Sequence, residues 1–260
     1  MIVYIVDAFT DTLFSGNPAA VCPLDEWLPT ELMQIIAFEH NLAETVFIVK
    51  EGDNYGIRWF TPSTEVPLCG HATLAAAHVL FNHLGYPHNE ITFDSMSGLL
   101  TVTKNENGLT MNFPVNLMQP VAIDESANKC FSKPPVEVLQ GIMDYMFVYD
   151  KQEDIENMIP NLAEIAEYDA RGIIITAPGD EVDMVSRFFA PQSGIDEDPV
   201  TGSAHTSLTP YWAEKTGKNK LSALQLSERG GKLFCELAGD RVLISGQAVT
   251  YMIGDIQLNN

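Results

Sequence analysis

Basic side chains are scarce in this sequence. Its 260 residues include 14 lysines and arginines against 35 aspartates and glutamates, which gives a formal net charge of −21 at pH 7. Phosphate backbones and anionic bilayers repel a chain this acidic, which argues against general binding to nucleic acid or to a membrane surface. The sequence also lacks any apolar run close to the roughly 20 residues that span a bilayer. We therefore expect neither a nucleic-acid partner nor a membrane partner.

Motifs for common cofactor, metal and nucleophile sites are also missing. No GxGxxG, GxxxxGK[ST], HExxH or GxSxG pattern occurs in the chain. Its four cysteines, Cys22, Cys69, Cys130 and Cys235, stand far apart without the CxxC spacing that suits zinc. Reduced, unpaired thiols are typical of cytosolic proteins. The sequence therefore predicts a cytoplasmic location.

What the chain does contain is ordinary for a compact globular protein. The hydrophobic share is 46%, and the length suits one large domain or two of ordinary size. Residues 114–120 form an extended, proline-flanked stretch that we take as a linker. We predict an N-terminal half at residues 1–116, joined by a C-terminal strand near residues 248–258, and a C-terminal half at residues 121–247.

A faint internal repeat supports this division. Residues 58–62 read Arg-Trp-Phe-Thr-Pro, and residues 187–191 read Arg-Phe-Phe-Ala-Pro. After each pentapeptide comes a polar or acidic loop, followed by a Gly-x-Ala sequence at residues 70–72 or 202–204. We expect each Gly-x-Ala to open a helix, and the alanines that follow residue 70 predict a central, buried helix. The repeat indicates two similar α/β halves.

A glycine-containing turn that enters a helix is suited to binding an anion. It presents free backbone N–H groups and the positive end of the helix dipole. Turns at Gly70 and Gly202 could together bind a carboxylate or phosphate in spite of the acidic chain. The structural alternative is that both turns are plain helix starts.

Side chains able to move protons or donate hydrogen bonds lie near these turns. Glu44 stands at the start of an apolar strand pattern, where partial desolvation would suit it to acid–base work. His71 and Ser203 occupy matching places after the two glycines, and Asp198 precedes the second turn. Each has a structural alternative, which for Asp198 is turn or helix capping. A metal set of Glu44, His71 and Asp198 lacks the spacing of known ligand motifs, so we predict no metal.

Cys69 raises a different kind of chemistry. Cofactor-independent racemases use two cysteines at helix starts, where the thiol pKa is lowered. The second turn here, residues 200–203, has no cysteine, so a two-thiol mechanism is not supported. A single-cysteine epimerase remains an alternative, and the structural alternative is a small buried residue.

Several longer motifs carry a family resemblance. They occur in order along essentially the whole chain at residues 16–21, 41–45, 60–73, 196–204 and 246–249. Together they resemble the PhzF family of phenazine biosynthesis. The resemblance implies a fold similar to diaminopimelate epimerase, in which two α/β halves each wrap a barrel-like sheet around a central helix, with the active site between them. It also implies a cofactor-independent isomerase, commonly a homodimer.

The resemblance assigns roles to particular positions. Glu44 would be the general acid/base, Asp198, His71 and Ser203 would line the site, and the backbone of Gly70 and Gly202 would meet a substrate carboxylate. We therefore expect a proton-transfer isomerase that acts on a small carboxylic acid. A binding protein that retains the site and has lost the reaction remains the other alternative.

Overall fold

The computed structural model describes residues 1–258, which form two compact units. The first unit comprises Met1–Asn112 together with the chain from Ser245 onward, and the second comprises Phe113–Ile244. Each unit combines β-strands with a few helices. No helix within the described residues is long and apolar enough to cross a membrane.

The first unit is built from strands that surround one long helix. Its elements in chain order are β1 Ile2–Ala8, β2 Asn17–Leu24, α1 Thr30–His40, β3 Glu44–Glu51, β4 Asn54–Phe60, β5 Glu65–Val66, α2 Gly70–Asn82, β6 Glu90–Ser95, β7 Gly98–Asn105 and β8 Gly108–Pro114. Ser-Gly at residues 97–98 and Asn-Gly at residues 107–108, which are typical of hairpin turns, lie where β7 and β8 begin.

The strands of the first unit alternate between parallel and antiparallel pairing. β2 pairs parallel with β3, β3 antiparallel with β4, β4 parallel with β6, and β6 antiparallel with β7. β1 pairs antiparallel with β2 on one side. On its other side β1 pairs with a strand from the end of the chain, Ala248–Asp255. Helix α2 packs against β1, β2 and β3.

Helix α2 is buried because its side chains are small. Residues 71–77 are all buried, and they include four alanines, so strands can approach the helix closely on every face. The sequence-based expectation of a central helix starting at Gly70 is confirmed. One consequence is that the first turn of α2, at His71 and Ala72, lies in the interior of the unit.

The second unit has shorter helices and its own hydrophobic core. Its elements in chain order are β9 Gln119–Val121, β10 Glu137–Gln140, β11 Asp144–Val148, α3 Gln152–Glu156, α4 Leu162–Ala166, β12 Gly172–Ala177, β13 Met184–Phe189, α5 His205–Thr216, β14 Lys220–Gln225, β15 Gly231–Ala238 and β16 Arg241–Gly246. The last strand of the chain, β17 Ala248–Asp255, belongs to the first unit.

The second unit repeats the pairing order of the first. β11 pairs parallel with β12, β12 antiparallel with β13, β13 parallel with β14, and β14 antiparallel with β15. Helix α5 lies between β13 and β14 in the chain, as α2 lies between β4 and β6. The two units are therefore built on one topology.

The repeated pentapeptides form the same structure in each unit. On β4, Arg58 donates two hydrogen bonds of 2.7 Å to the carboxylate of Glu65 in the short strand β5 that follows. On β13, Arg187 donates bonds of 2.7 and 2.8 Å to Glu197 in the loop that follows. Each guanidinium also lies over the phenylalanine two residues further along its own strand. The repeat found in the sequence thus specifies a strand joined to the segment after it by an arginine–glutamate fork.

The turn before β2 needs a glycine for two reasons. Gly16 has a φ of +70°, and a Cβ there would press on the carbonyl oxygen of Ala8 and lie 2.7 Å from Cγ2 of Thr10. Gly52, in the turn between β3 and β4, has a φ of +65° but no atom within 4 Å of the same position. The two glycines share a left-handed backbone and differ in the space around them.

We expect Gly16→Ala to lower the free energy of unfolding by clearly more than Gly52→Ala. The left-handed backbone alone costs an L-residue about 1–2 kcal/mol, and only Gly16→Ala adds a clash with backbone. Urea unfolding of both variants measures the difference. Equal losses would contradict the close packing at Gly16.

Candidate active site

The start of β3 places Glu44 beside β2. Asn41 ends α1 in the left-handed conformation, with a φ of 49°, and its amide donates to the carbonyl of Ala37 at 3.1 Å. This tight cap reverses the chain within a few residues, so β3 begins at Glu44, opposite Ala19 of β2. The side chain of Glu44 is 12% exposed.

The buried end of α2 brings His71 to this carboxylate. Nε2 of His71 lies 3.1 Å from Oε2 of Glu44, and the histidine side chain is 7% exposed. The contact is an ion pair when the imidazole is protonated. Glu44 and His71 are therefore in contact, with little water to weaken their interaction.

Cys69 extends this contact to a third side chain. Its Sγ lies 3.5 Å from Nδ1 of His71, on the side of the ring opposite Glu44. Cys69 is also the residue before α2, and its carbonyl accepts hydrogen bonds from the amide and the hydroxyl of Thr73, at 3.1 and 2.6 Å. The turn that opens the helix thus fixes Cys69, and Cys69 and Glu44 contact opposite edges of the His71 ring.

The pKa values of this group follow from burial and from its own charges. Burial, and then the charge of Glu44, raise the pKa of the Cys69 thiol above its usual range. For His71, burial lowers the pKa, but the neighbouring Cys69 and Glu44 outweigh it and hold the pKa well above 6.5. The arrangement therefore favours an imidazolium that faces a carboxylate.

These three side chains do not form a chelating site for one metal ion as they stand. One ligand atom from each of Glu44, Cys69 and His71 lies within 4.8 Å of the others. However, His71 presents Nε2 to the carboxylate and Nδ1 to the thiol, and one ion binds one nitrogen of a ring. The geometry fits proton transfer better than metal binding.

In the second unit the predicted helix start at Gly202 is wrong by one turn. Helix α5 begins at His205, and Gly202, Ser203 and Ala204 form a turn in front of it. The amide of His205 donates to the carbonyl of Gly202 at 3.1 Å, as in a tight turn. The cause is the residue before the glycine, because Thr201 is fixed by bonds from outside the helix.

The amide, the hydroxyl and the carbonyl of Thr201 each form a hydrogen bond. Its amide donates to Oε1 of Gln225 at 2.8 Å, its hydroxyl donates to Oδ2 of Asp198, and its carbonyl lies 2.9 Å from Nδ1 of His205. A carbonyl only accepts, so Nδ1 of His205 carries the proton. Complete burial lowers the pKa of His205 to about 4, so this ring is neutral. Asp198 thus lies in the same turn as Gly202 and Ser203.

Sequence reasoning missed Arg171, which lies just before β12. Its guanidinium forms a fork with the buried carboxylate of Asp144, with nitrogen–oxygen distances of 2.9 and 2.5 Å. A third nitrogen donates to Oγ of Ser203 at 2.8 Å. The repeat carried the signal that could have found this position. When Phe60 and Phe189 are aligned, their strand partners make the start of β12 equivalent to the start of β3.

The geometry therefore gathers the candidates within each unit. In the first unit, the Glu44 carboxylate meets His71 next to Gly70, with Cys69 added to the group. In the second unit, Asp198 and Ser203 lie in or beside the turn at Gly202, and Arg171 contacts Ser203. The side chains gathered in the first unit are all ionisable, whereas those in the second unit are held by hydrogen bonds.

The sequence matches a known family over residues 6–254. The matching family model is PhzC-PhzF, described as phenazine biosynthesis-like protein. This chain belongs to the PhzC-PhzF family. The resemblance drawn from the sequence motifs is thereby confirmed.

Relatives and solved structures of the PhzF family agree along the full length. An uncharacterized isomerase of Pseudomonas aeruginosa is 50% identical and matches 98% of this chain and 97% of its own. A PhzF-family crystal structure from Enterococcus faecalis is 45% identical, with a TM-score of 0.97 and 99% of both chains covered. One from Clostridium difficile is 46% identical, with a TM-score of 0.93, and covers 99% of this chain and 100% of that one. These relatives identify this PhzF-family chain as an isomerase.

The fold of this PhzF-family chain also extends to racemases of distant sequence. A probable proline racemase from Agrobacterium radiobacter has a TM-score of 0.65 at 9% identity and covers 99% of this chain and 93% of its own. The expectation of a mixed α+β, diaminopimelate epimerase-like fold is confirmed, with two halves that share a topology. At this identity the likeness concerns the fold alone.

Protonation of His71 gives this PhzF-family chain a measurable pH dependence. Because its folded-state pKa is raised above the unfolded value of about 6.5, its contribution to stability is complete below that pH. The contribution is lost as the pH rises through the raised pKa. We expect the wild type to exceed Glu44→Gln in free energy of unfolding by more at about pH 6 than at about pH 9.

Urea unfolding at the two pH values measures this difference. Glu106→Gln is the matched control, because Glu106 is exposed in the turn between β7 and β8 and the same charge is removed there. A difference between wild type and Glu44→Gln that stays constant or grows with pH would contradict the coupling of Glu44 to His71.

Proposed function

We propose that this chain is a cofactor-independent isomerase that moves a proton within a small carboxylic acid, with Glu44 as general acid and base. The observation that carries the proposal is the contact between the nearly buried Glu44 carboxylate and His71 at 3.1 Å. A carboxylate with few water neighbours can approach a carbon acid without a hydration shell between the two groups.

The proposed reaction needs one group that both takes and returns the proton. Glu44 removes a proton from a carbon whose C–H bond is weakened by conjugation or by an adjacent carboxylate. The electron pair of that bond spreads over the conjugated system. The protonated Glu44, which is 12% exposed and can exchange its proton with solvent, then donates a proton to another carbon. A double bond shifts, nothing is oxidised or reduced, and no second reactant is required.

His71 has a supporting role in this proposal. Its Nε2 lies 3.1 Å from Oε2 of Glu44, so the imidazolium fixes the direction in which the carboxylate faces. In that position His71 supports Glu44 without itself touching the reacting carbon.

The remaining candidates are proposed to bind the substrate. We assign the substrate carboxylate to the backbone amides at Gly70 and Gly202, and an amino or hydroxyl group of the substrate to Asp198. Support for Gly70 is its place as the first residue of α2, where amides have no acceptor within the helix. Support for Ser203 is its hydroxyl, which lies beside Gly202 in the turn before α5.

The family resemblance also supports proposals about assembly and location. We propose a cytoplasmic homodimer that binds neither nucleic acid nor membrane. The net charge of −21 supports the last part, because phosphate groups and anionic lipids repel it.

Replacing Glu44 by glutamine tests the central proposal. The assay follows deuterium from D₂O into carbon positions of a panel of acids: 3-hydroxyanthranilate, L-proline and itaconate, which represent aromatic, cyclic amino and unsaturated carboxylates. We expect wild type to catalyse exchange into at least one, and Glu44→Gln to slow it by about 10²-fold or more. Mass spectrometry measures the deuterium incorporated.

Two controls separate catalysis from folding and from binding. Glu106→Gln should exchange at the wild-type rate, because Glu106 is an exposed turn residue. Unchanged exchange in Glu44→Gln would reject the proposed base. If wild type is stabilised by an acid of the panel in thermal unfolding but exchanges no deuterium into it, the chain is a carboxylate-binding protein instead.

A second candidate function uses Cys69 as the reactive group of a single-cysteine epimerase. The observation in its favour is the 3.5 Å contact between Cys69 Sγ and His71 Nδ1, since a histidine can accept a thiol proton. Against it, burial and the charge of Glu44 both raise the pKa of the thiol, whereas reactive cysteines have lowered values.

Cys69→Ser distinguishes the two mechanisms. Under the proposed reaction, deuterium exchange survives within a few-fold of wild type, because Glu44 remains as the proton-moving group. Under the alternative it is lost, because a serine hydroxyl is far less acidic than a thiol and cannot replace Cys69. Cys22→Ser is the matched control for the cost of a hydroxyl at a buried cysteine, since Cys22 is also buried in the first unit. Loss of exchange in Cys69→Ser alone, with both variants folded, would favour the thiol mechanism.

A further inference from the structure

The guanidinium of Arg171 is held in one position by three groups. Nε and one terminal nitrogen bind the two oxygens of Asp144, whose side chain is 2% exposed. The guanidinium carbon also lies 5.1 Å from the ring centroid of Phe188. A planar group with a bidentate carboxylate at one edge and an aromatic ring against its face has little freedom to rotate. The remaining terminal nitrogen points to Ser203.

This contact fixes the direction of the Ser203 hydroxyl proton. Arginine has five N–H donors and no acceptor, so in the 2.8 Å contact the guanidinium donates and Oγ of Ser203 accepts. The O–H of Ser203 must therefore donate elsewhere. Within the part of the chain that the structure describes, no acceptor for that proton is found. Ser203 is only partly buried, so the proton is available to a bound molecule.

Arg171 stands next to the position that matches Glu44 of the first unit, and its charge is opposite to that of Glu44. Thr45 of β3 pairs with Phe60, and Ile173 of β12 pairs with Phe189, so the register places Gly172 where the first unit has Glu44. Arg171 lies one residue earlier. Its contact Ser203 follows Gly202, as His71 follows Gly70. One scaffold therefore carries a carboxylate facing an imidazole in one unit and a guanidinium facing a hydroxyl in the other.

We propose that Arg171 is a positioning residue that makes Ser203 a hydrogen-bond donor to an anionic oxygen of the ligand. A carboxylate oxygen fits, because it only accepts hydrogen bonds. The Ser203 oxygen already accepts one from a cation, so the hydroxyl has its proton left to donate. The positive charge behind Oγ also polarises the O–H bond and strengthens its donation to an anion. This inference rests on the proposed function in so far as Ser203 binds the substrate.

A double-mutant cycle tests the coupling of Arg171 to Ser203. The probe is the acid from the panel above that wild type binds most tightly in isothermal titration calorimetry. The variants are Ser203→Ala, the double variant Arg171→Gln/Asp144→Asn, and the triple variant. The double variant removes both charges together, so it leaves no unpaired buried carboxylate.

We expect Ser203→Ala and the double variant each to weaken probe binding by roughly tenfold or more, the loss typical of a hydrogen bond to a charged group. The triple variant should bind no more weakly than Ser203→Ala, because Arg171 acts through that hydroxyl. Lys218→Gln/Asp183→Asn is the matched control, since it removes another ion pair of the second unit and should leave affinity unchanged.

The outcomes separate this inference from the proposed function. If Ser203→Ala weakens binding and the double variant does not, or if their losses add in the triple variant, Arg171 is a structural residue only and the inference is overturned. If no acid of the panel binds to wild type, both fail. Should the double variant not fold, Arg171→Lys retains the ion pair to Asp144 and loses the fork, and wild-type affinity in that variant also overturns the inference.

Discussion

The buried contact between Glu44 and His71 is the interaction on which the proposed chemistry of this chain depends. Removing a carboxylate and an imidazolium from water costs free energy, and their mutual attraction offsets that cost only while both groups are present. The helix α2 creates this situation, because its small side chains let strands pack on every face and bring its first turn into the interior. The start of β3 then lies within contact distance of that turn. A partly buried base is thus a consequence of how the central helix is packed.

Elements with strong local patterns could be predicted from the sequence. The alanines after Gly70 specified a buried helix, and the turns at residues 97–98 and 107–108 specified two hairpins, because residues a few positions apart decide these features. The repeat of an arginine, an aromatic residue and a phenylalanine specified two similar halves before any contact was known. In the structure each repeat contains a fork between a strand arginine and a glutamate in the segment that follows the strand.

Contacts between residues distant in sequence could not be predicted in the same way. The Gly-x-Ala pattern is the same at residues 70–72 and 202–204, yet α2 begins at its glycine and α5 begins only at His205. Thr201 makes the difference, because the side chain of Gln225, far along the chain, binds its amide. Arg171 was missed for the same reason. Its partner Asp144 lies on another strand, and nothing near Arg171 in sequence shows that partner.

The unequal chemistry of two units with one topology agrees with the reaction that we propose. A racemase that removes a proton on one side of a carbon and adds another on the opposite side needs two proton-moving groups. A single carboxylate that both removes and delivers a proton is only one group. The position in the second unit that matches Glu44 then needs no proton-moving side chain. Gly172 occupies this position, and the cation of Arg171 lies one residue before it. In a chain whose net charge is −21, a guanidinium fixed by a buried aspartate offers local positive charge to a carboxylate where the overall field is unfavourable.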